Sequence, residues 1–223
     1  MNRTLGIAVI GHAPREDIAA TVADYVPKGT RIVLRGCLDG LSEAEIAARP
    51  PINGDDTLYT RLPGGREVKL SKRHVIEHAP AALALLRRDG ADAILFNCTG
   101  EFPPIPGDTG VVFPSRVLNG MAESLLARGR LGLLAPLPEQ IPILTQKWSR
   151  PGLEVVGDAV MPSAEPAEIR SAAQRLAAHR PDLVALDCMS FTPAAKDIVR
   201  AVTGVPAILG ITAAARVLCE LME

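Results

Sequence analysis

Aromatic side chains are scarce. The 223 residues contain one Trp, two Tyr and four Phe, so the core must be built mainly from Ala, Leu, Val and Ile. Cysteine is scarce as well: the four (37, 98, 188 and 219) are far apart with no CxxC pair, which argues against a disulfide framework or a zinc knuckle. Neither sign of charge is in excess. A formal net charge of −1 gives no general attraction to nucleic acid or to an anionic membrane, so neither is expected as a partner. No apolar run reaches the length of a spanning helix. GxGxxG, Walker, HExxH and GxSxG signatures are all missing. Of the four histidines, only His74 and His78 have a metal-ligand spacing, and no third ligand accompanies them, so no metal is expected.

The composition is that of a globular chain, 48% hydrophobic and 22% charged, with a core of ordinary size. The apolar start, Leu5 to Ile10, runs straight into His12, Pro14, Arg15, Glu16 and Asp17 without a small-residue cleavage site. It reads as a first strand rather than a signal peptide, and the expected compartment is the cytoplasm.

The chain contains one pattern twice. Asp92-Ala-Ile-Leu-Phe-Asn-Cys98 is followed by Thr99-Gly100 and reaches Pro103; Asp182-Leu-Val-Ala-Leu-Asp-Cys188 is followed by Met189-Ser190 and reaches Pro193. In both, four apolar residues follow the Asp, as expected of a strand buried on both faces of a parallel sheet. Each Cys then lies just past the strand's carboxyl end, the edge where open α/β sheets bind ligands. A second echo supports duplication. Leu5-Gly6 leads to Ala13-Pro14 and Ile18, as Leu131-Gly132 leads to Ala135-Pro136 and Ile141. Gly6 lies 92 positions before Cys98 and Gly132 lies 56 before Cys188. The excess matches an atypical stretch, 37–70, in which 57–62 and 66–70 alternate like a hairpin around Gly64-Gly65.

Strands alternating with helices over the rest imply βαβ units. The expected architecture is α/β, with two pseudo-symmetric open parallel-sheet lobes and a ligand cleft between them. The first lobe is expected to hold 1–113 and 205–223, with 37–70 inserted; the second holds 114–204.

The chemistry available centres on the thiols. A lone Cys at a strand end is usually a small hydrophobe, whereas two in matched positions are candidate catalytic groups. One thiolate could take the proton alpha to a carboxylate while the other thiol returns one to the opposite face. A single thiolate could instead add to a substrate, as in lyase chemistry, or both could be structural in a metabolite-binding protein. His12, Arg15, Asn97, Thr99, Gly100, Met189 and Ser190 share the strand ends with the thiols and are the expected substrate-binding residues, Arg15 as a fork for a carboxylate. A surface salt bridge of Arg15 with Glu16 or Asp17 is the equal alternative. Arg73, Arg116 and Lys147 are weaker candidates. Cys98, read as preceding a helix start, is expected to be the more reactive thiol, because Asp187 beside Cys188 would disfavour a thiolate there. Cys37 and Cys219 are expected to be inert.

Several stretches together resemble the aspartate/glutamate/hydantoin racemase superfamily and, within it, the AroM family. They are Gly11-His-Ala-Pro-Arg-Glu-Asp-Ile18, Gly54-Asp-Asp-Thr57, Phe113-Pro-Ser-Arg116, Gln146-Lys-Trp148 and Leu186-Asp-Cys-Met-Ser-Phe191, and they cover nearly the whole chain. The resemblance implies the two-lobed fold, a cleft between the cysteines, a small carboxylic-acid ligand and no cofactor, but no settled reaction. Amino-acid racemases of this kind follow their first Cys with Asn-Thr and their second with Thr-His. Thr99-Gly100 and Met189-Ser190 depart from both, which argues against glutamate racemase in the strict sense. Homo-oligomerisation is left open.

Overall fold

The computed structural model describes residues 3–223. They form two compact units, residues 3–114 with Ala214–Glu223 and Ser115–Ala213. Among the described residues no helix is long and apolar enough to cross a membrane.

The first unit contains β1 (Thr4–Val9), α1 (Glu16–Ala23), β2 (Arg31–Gly36), α2 (Glu43–Ala47), β3 (Thr57–Arg61), β4 (Glu67–Ser71), α3 (Lys72–Arg88), β5 (Ala93–Asn97) and β6 (Val111–Val112). Its main sheet is parallel, in the order β2-β1-β5-β6. β1 and β5 are buried at every position, as central strands covered on both faces must be. The stretch read as an insertion holds α2, opened by a capping box between Ser42 and Glu45, and an antiparallel hairpin of β3 and β4. Leu58 and Leu70 of that hairpin enter the same core cluster as Ile94, Phe96 and Phe113.

The second unit begins within α4 (Pro114–Leu125) and continues through β7 (Gly129–Ala135), α5 (Ile141–Trp148), β8 (Leu153–Ala159), α6 (Pro166–Ala178), β9 (Leu183–Leu186), α7 (Pro193–Thr203) and β10 (Ala207–Leu209). α8 (Gly210–Met222) crosses the division between the units. The sheet order, β8-β7-β9-β10, is parallel throughout and repeats the topology of the first unit strand for strand. Residues 205–213 are a correction to the expected boundary. β10 takes its ladder from β9, joined to it by α7, so this stretch belongs to the second unit.

The duplication extends to individual bonds. Gly6 pairs with Ile94 and Gly132 with Val184, so the two sheets share one register relative to the repeated pattern. The repeated Asp turns out to be a clamp. Asp92 accepts the Thr4 N–H at 2.8 Å and its own N–H donates to the Thr4 carbonyl at 2.8 Å. Asp182 does the same with Arg130, again at 2.8 Å in both directions. The repeated Gly has a packing reason: a Cβ on Gly6 would lie 3.0 Å from the Ala91 side chain, and one on Gly132 would lie 3.2 Å from Pro181, so a side chain at either place would push its neighbour aside.

The units part company after the thiol strands. β9 is followed by α7, which Thr192 caps by accepting the Ala195 N–H and Pro193 opens. β5 is followed by an irregular loop to Gly110, in which Pro103 opens no helix.

Candidate functional site

In the first unit the carboxyl edge gathers the ends of β1 and β5, whose last residues Val9 and Asn97 are aligned. A tight turn follows β5, with the Cys98 N–H bonded to the Phe96 carbonyl at 2.7 Å. The turn brings the Gly100 N–H onto the Cys98 sulfur at 3.3 Å. A Cβ on Gly100 would lie 3.1 Å from Leu58 and 3.4 Å from that sulfur, so residue 100 has little room for a side chain. Asn97, Cys98 and Thr99 are all buried. Asn97 stands out among them, since its buried Oδ1 has no hydrogen-bond partner.

In the second unit the end of β9 repeats this arrangement. The Ser190 N–H approaches the Cys188 sulfur at 3.5 Å, and Cys188 and Met189 are buried. An N–H directed at sulfur favours its anionic form. The residue before each Cys, however, differs in kind. Asp187 is fully buried with its partners in place: Lys147 Nζ lies 2.8 and 3.2 Å from its two oxygens, and Trp148 Nε1 donates to Oδ2 at 2.7 Å. The Lys147 side chain is only 3% exposed.

Arg15 is at the expected edge but serves another partner. Its Nε and Nη2 form a bidentate pair with Asp17 at 2.8 and 2.7 Å, and Nη1 reaches Thr60 Oγ1 and the Arg61 carbonyl. The fork expected for a ligand's carboxylate is thus filled by one of the chain's own, and it ties the β1–α1 loop to the hairpin. For Asp17, burial is the largest influence and would raise the pKa, but the bonds and charge of Arg15 outweigh it and hold the carboxyl below its ordinary value. His12 Nε2 donates to the Leu41 carbonyl at 2.9 Å. A carbonyl can only accept, so Nε2 carries a proton.

The two remaining cysteines hold their protons. Burial, reinforced by Cys98 and Asp39, pushes the Cys37 thiol up to about 12, and a hydrogen bond to Glu223 raises Cys219. Burial lowers the pKa of His74, whose ring packs edge-on to His78. No cluster able to hold a metal ion occurs among the described residues.

A family model described as AroM protein matches residues 5–222. The chain belongs to the AroM family. No curated protein matches it, but solved structures share its fold. Unliganded arylmalonate decarboxylase is 15% identical, with a TM-score of 0.65 covering 100% of this chain and 93% of that one. A maleate isomerase variant from Pseudomonas putida, solved with maleate, is 12% identical at a TM-score of 0.64, covering 98% and 91%. Glutamate racemase from Francisella tularensis, with D-glutamate, is 17% identical at 0.54, covering 99% and 81%. At such identities the likeness is one of fold.

Two sets of contacts in this chain escaped the sequence reading. Asp39 accepts the N–H groups of Ala13 and Gly36, at 2.9 and 2.7 Å, and so fixes the exits of β1 and β2 together. The Lys147–Asp187–Trp148 cluster joins residues 39 and 40 positions apart, and its only trace in the sequence is the Gln146-Lys-Trp148 stretch. The expected difference in thiol reactivity changes with it. No helix begins after Cys98, and the Asp187 charge has a cation against it.

Proposed function

We propose that this protein is a cofactor-independent isomerase of racemase or epimerase type, acting on a small carboxylic acid through Cys98 and Cys188. One thiolate removes the proton alpha to the carboxylate and the other thiol delivers a proton to the opposite face, so both must reach one carbon. The reading rests on one observation: two buried thiols at equivalent strand ends each receive the backbone N–H from two residues further on. A general acid and a general base of the same kind are what a two-base proton transfer needs. The shared fold supports it, because two of the similar structures hold maleate and D-glutamate, both small dicarboxylic acids.

In this reading the Thr99 and Ser190 hydroxyls and the backbone at Gly100 and Met189 hold the carboxylate, with His12 Nδ1 and the Asn97 amide beside them. Arg15 stays on Asp17 and acts through the position of its loop. A buried carbonyl oxygen without a partner costs on the order of 1–3 kcal/mol, so Asn97 Oδ1 favours an acid that carries a hydrogen-bond donor, a hydroxyl or an amino group, near the reacting carbon.

The test is solvent exchange. Small hydroxy and amino acids incubated with the protein in D2O, followed by proton NMR, should include one that takes deuterium at its alpha carbon. Cys98→Ser and Cys188→Ser should each slow that exchange by about 10²–10⁴-fold. Binding seen by thermal shift without exchange would favour a metabolite-binding protein. Turnover that needs one Cys alone would favour a lyase.

A further inference from the structure

Asp187 precedes Cys188 directly, and an unbalanced carboxylate so near would hold the thiol in its protonated form. The chain answers that carboxylate with an ammonium. Lys147 comes from α5, 40 positions away, and is buried to within a few per cent with its Nζ 2.8 Å from Oδ2. Trp148, the next residue, donates its indole N–H to the same oxygen at 2.7 Å. A charge pair with a third hydrogen bond in a dry setting holds its geometry closely. At the equivalent strand end of the first unit an uncharged Asn97 stands in place of the Asp, and no such cation is needed.

From this geometry we infer that Lys147 is a positioning residue for Cys188. It neutralises Asp187, allowing the thiolate to form one residue away, and Trp148 keeps the carboxylate turned toward it. The inference rests on the proposed role of Cys188 as a reacting group. Other charged groups on segments flanking this strand end include Glu139 after β7 and Lys196 and Asp197 in α7. They are unchanged in every variant below.

The two partners predict shifts of opposite sign. With Lys147→Met, the lone carboxylate repels a thiolate, raising the pH midpoint of Cys188 alkylation and slowing its reaction with iodoacetamide near neutral pH by about tenfold. With Asp187→Asn, the lone ammonium attracts the thiolate, so the midpoint falls and the reaction quickens. The double variant Lys147→Met/Asp187→Asn should return to the wild-type profile, and Lys147→Arg should retain it. Alkylation is followed by peptide mass mapping across pH on the full chain, with Cys98 as the internal control and Trp148, the only tryptophan, reporting integrity by its fluorescence. The inference is overturned if folded Lys147→Met leaves the Cys188 profile unchanged, or if both single variants accelerate both thiols, the mark of simple loosening. Should Lys147→Met fail to fold, the sign of the Asp187→Asn shift decides, and a rise or no shift overturns it. Alkylation needs no turnover, so this result stands apart from the exchange test of the proposed isomerase.

Discussion

The residue before each thiol occupies the same place in two sheets of the same topology, yet Asn97 and Asp187 are in opposite conditions. Asp187 is satisfied by two side chains of its own unit. Asn97 is neutral and keeps a buried oxygen unpartnered. The second unit has completed its strand end from within, while the first has left an acceptor for something else. Duplication preserved the backbone device, an N–H aimed at sulfur, and varied the residue behind it. In such a pair the shared feature identifies the chemistry, and the difference gives each half its own task.

Stability measurements should expose the contrast. Asp187→Ala strands the Lys147 ammonium and the Trp148 N–H in the interior and should cost about 3–5 kcal/mol in urea unfolding. Asn97→Ala removes an amide already short of a partner and should cost about 1 kcal/mol or less. Equal losses would mean that the two positions are not the contrast described. Gly100→Ala comes next. Its new methyl presses on Leu58 and on the Cys98 sulfur, so a loss of about 1–3 kcal/mol is expected, together with slower alkylation of Cys98. The clamps should behave alike: Asp92→Ala and Asp182→Ala each remove the acceptor of one strand-entry N–H, in a part-buried bond at Thr4 and an exposed one at Arg130, and each should cost about 1 kcal/mol.

The smallest expected effect is in acid. Asp17, Glu45, Asp56, Glu77 and Asp89 are held below their ordinary values, and all lie in the first unit. For Asp56, burial is the largest influence and opposes the shift, but the Arg73 N–H, the Ser71 hydroxyl and the Ile52 N–H prevail. A carboxyl whose folded pKa is depressed stabilises the fold above its ordinary value, near 4, and loses that contribution as pH falls through the folded value. Hydrogen exchange compared between neutral pH and pH about 3 should therefore show the first unit loosening before the second. Equal protection in both at the lower pH would contradict it.

Much of this molecule was legible because duplication writes itself into spacing. Gly6 and Gly132, Asp92 and Asp182, and Cys98 and Cys188 mark the same sheet positions twice, and the excess between them isolates the hairpin. Periodicity supplied the buried strands. What remained hidden was the pairing of charges. Arg15 has carboxylates at 16 and 17 and a ligand role open to it, and only the turn of the backbone selects Asp17. Lys147 and Asp187 are far apart in sequence and meet because α5 and β9 lie in one unit. Asp39 looks like any turn aspartate until both N–H groups it accepts are seen. β10 was misassigned because a three-residue strand carries no sign of which sheet it joins.

The division of the chain also bears on how it acquires its structure. The second unit is one continuous segment, whereas the first is assembled from two segments separated by the whole of 115–213. Ala214, Ala215, Leu218 and Met222 of the later segment are buried. The clamp of the first unit closes a span of 88 residues, that of the second a span of 52, a difference worth about 0.5 kcal/mol of chain entropy. During synthesis the second unit can finish while the first is still waiting for its last helix. Pulse-labelled hydrogen exchange during refolding should then find β7 and β9 protected before β1 and β5, and the reverse order would show that the first unit nucleates without its second segment.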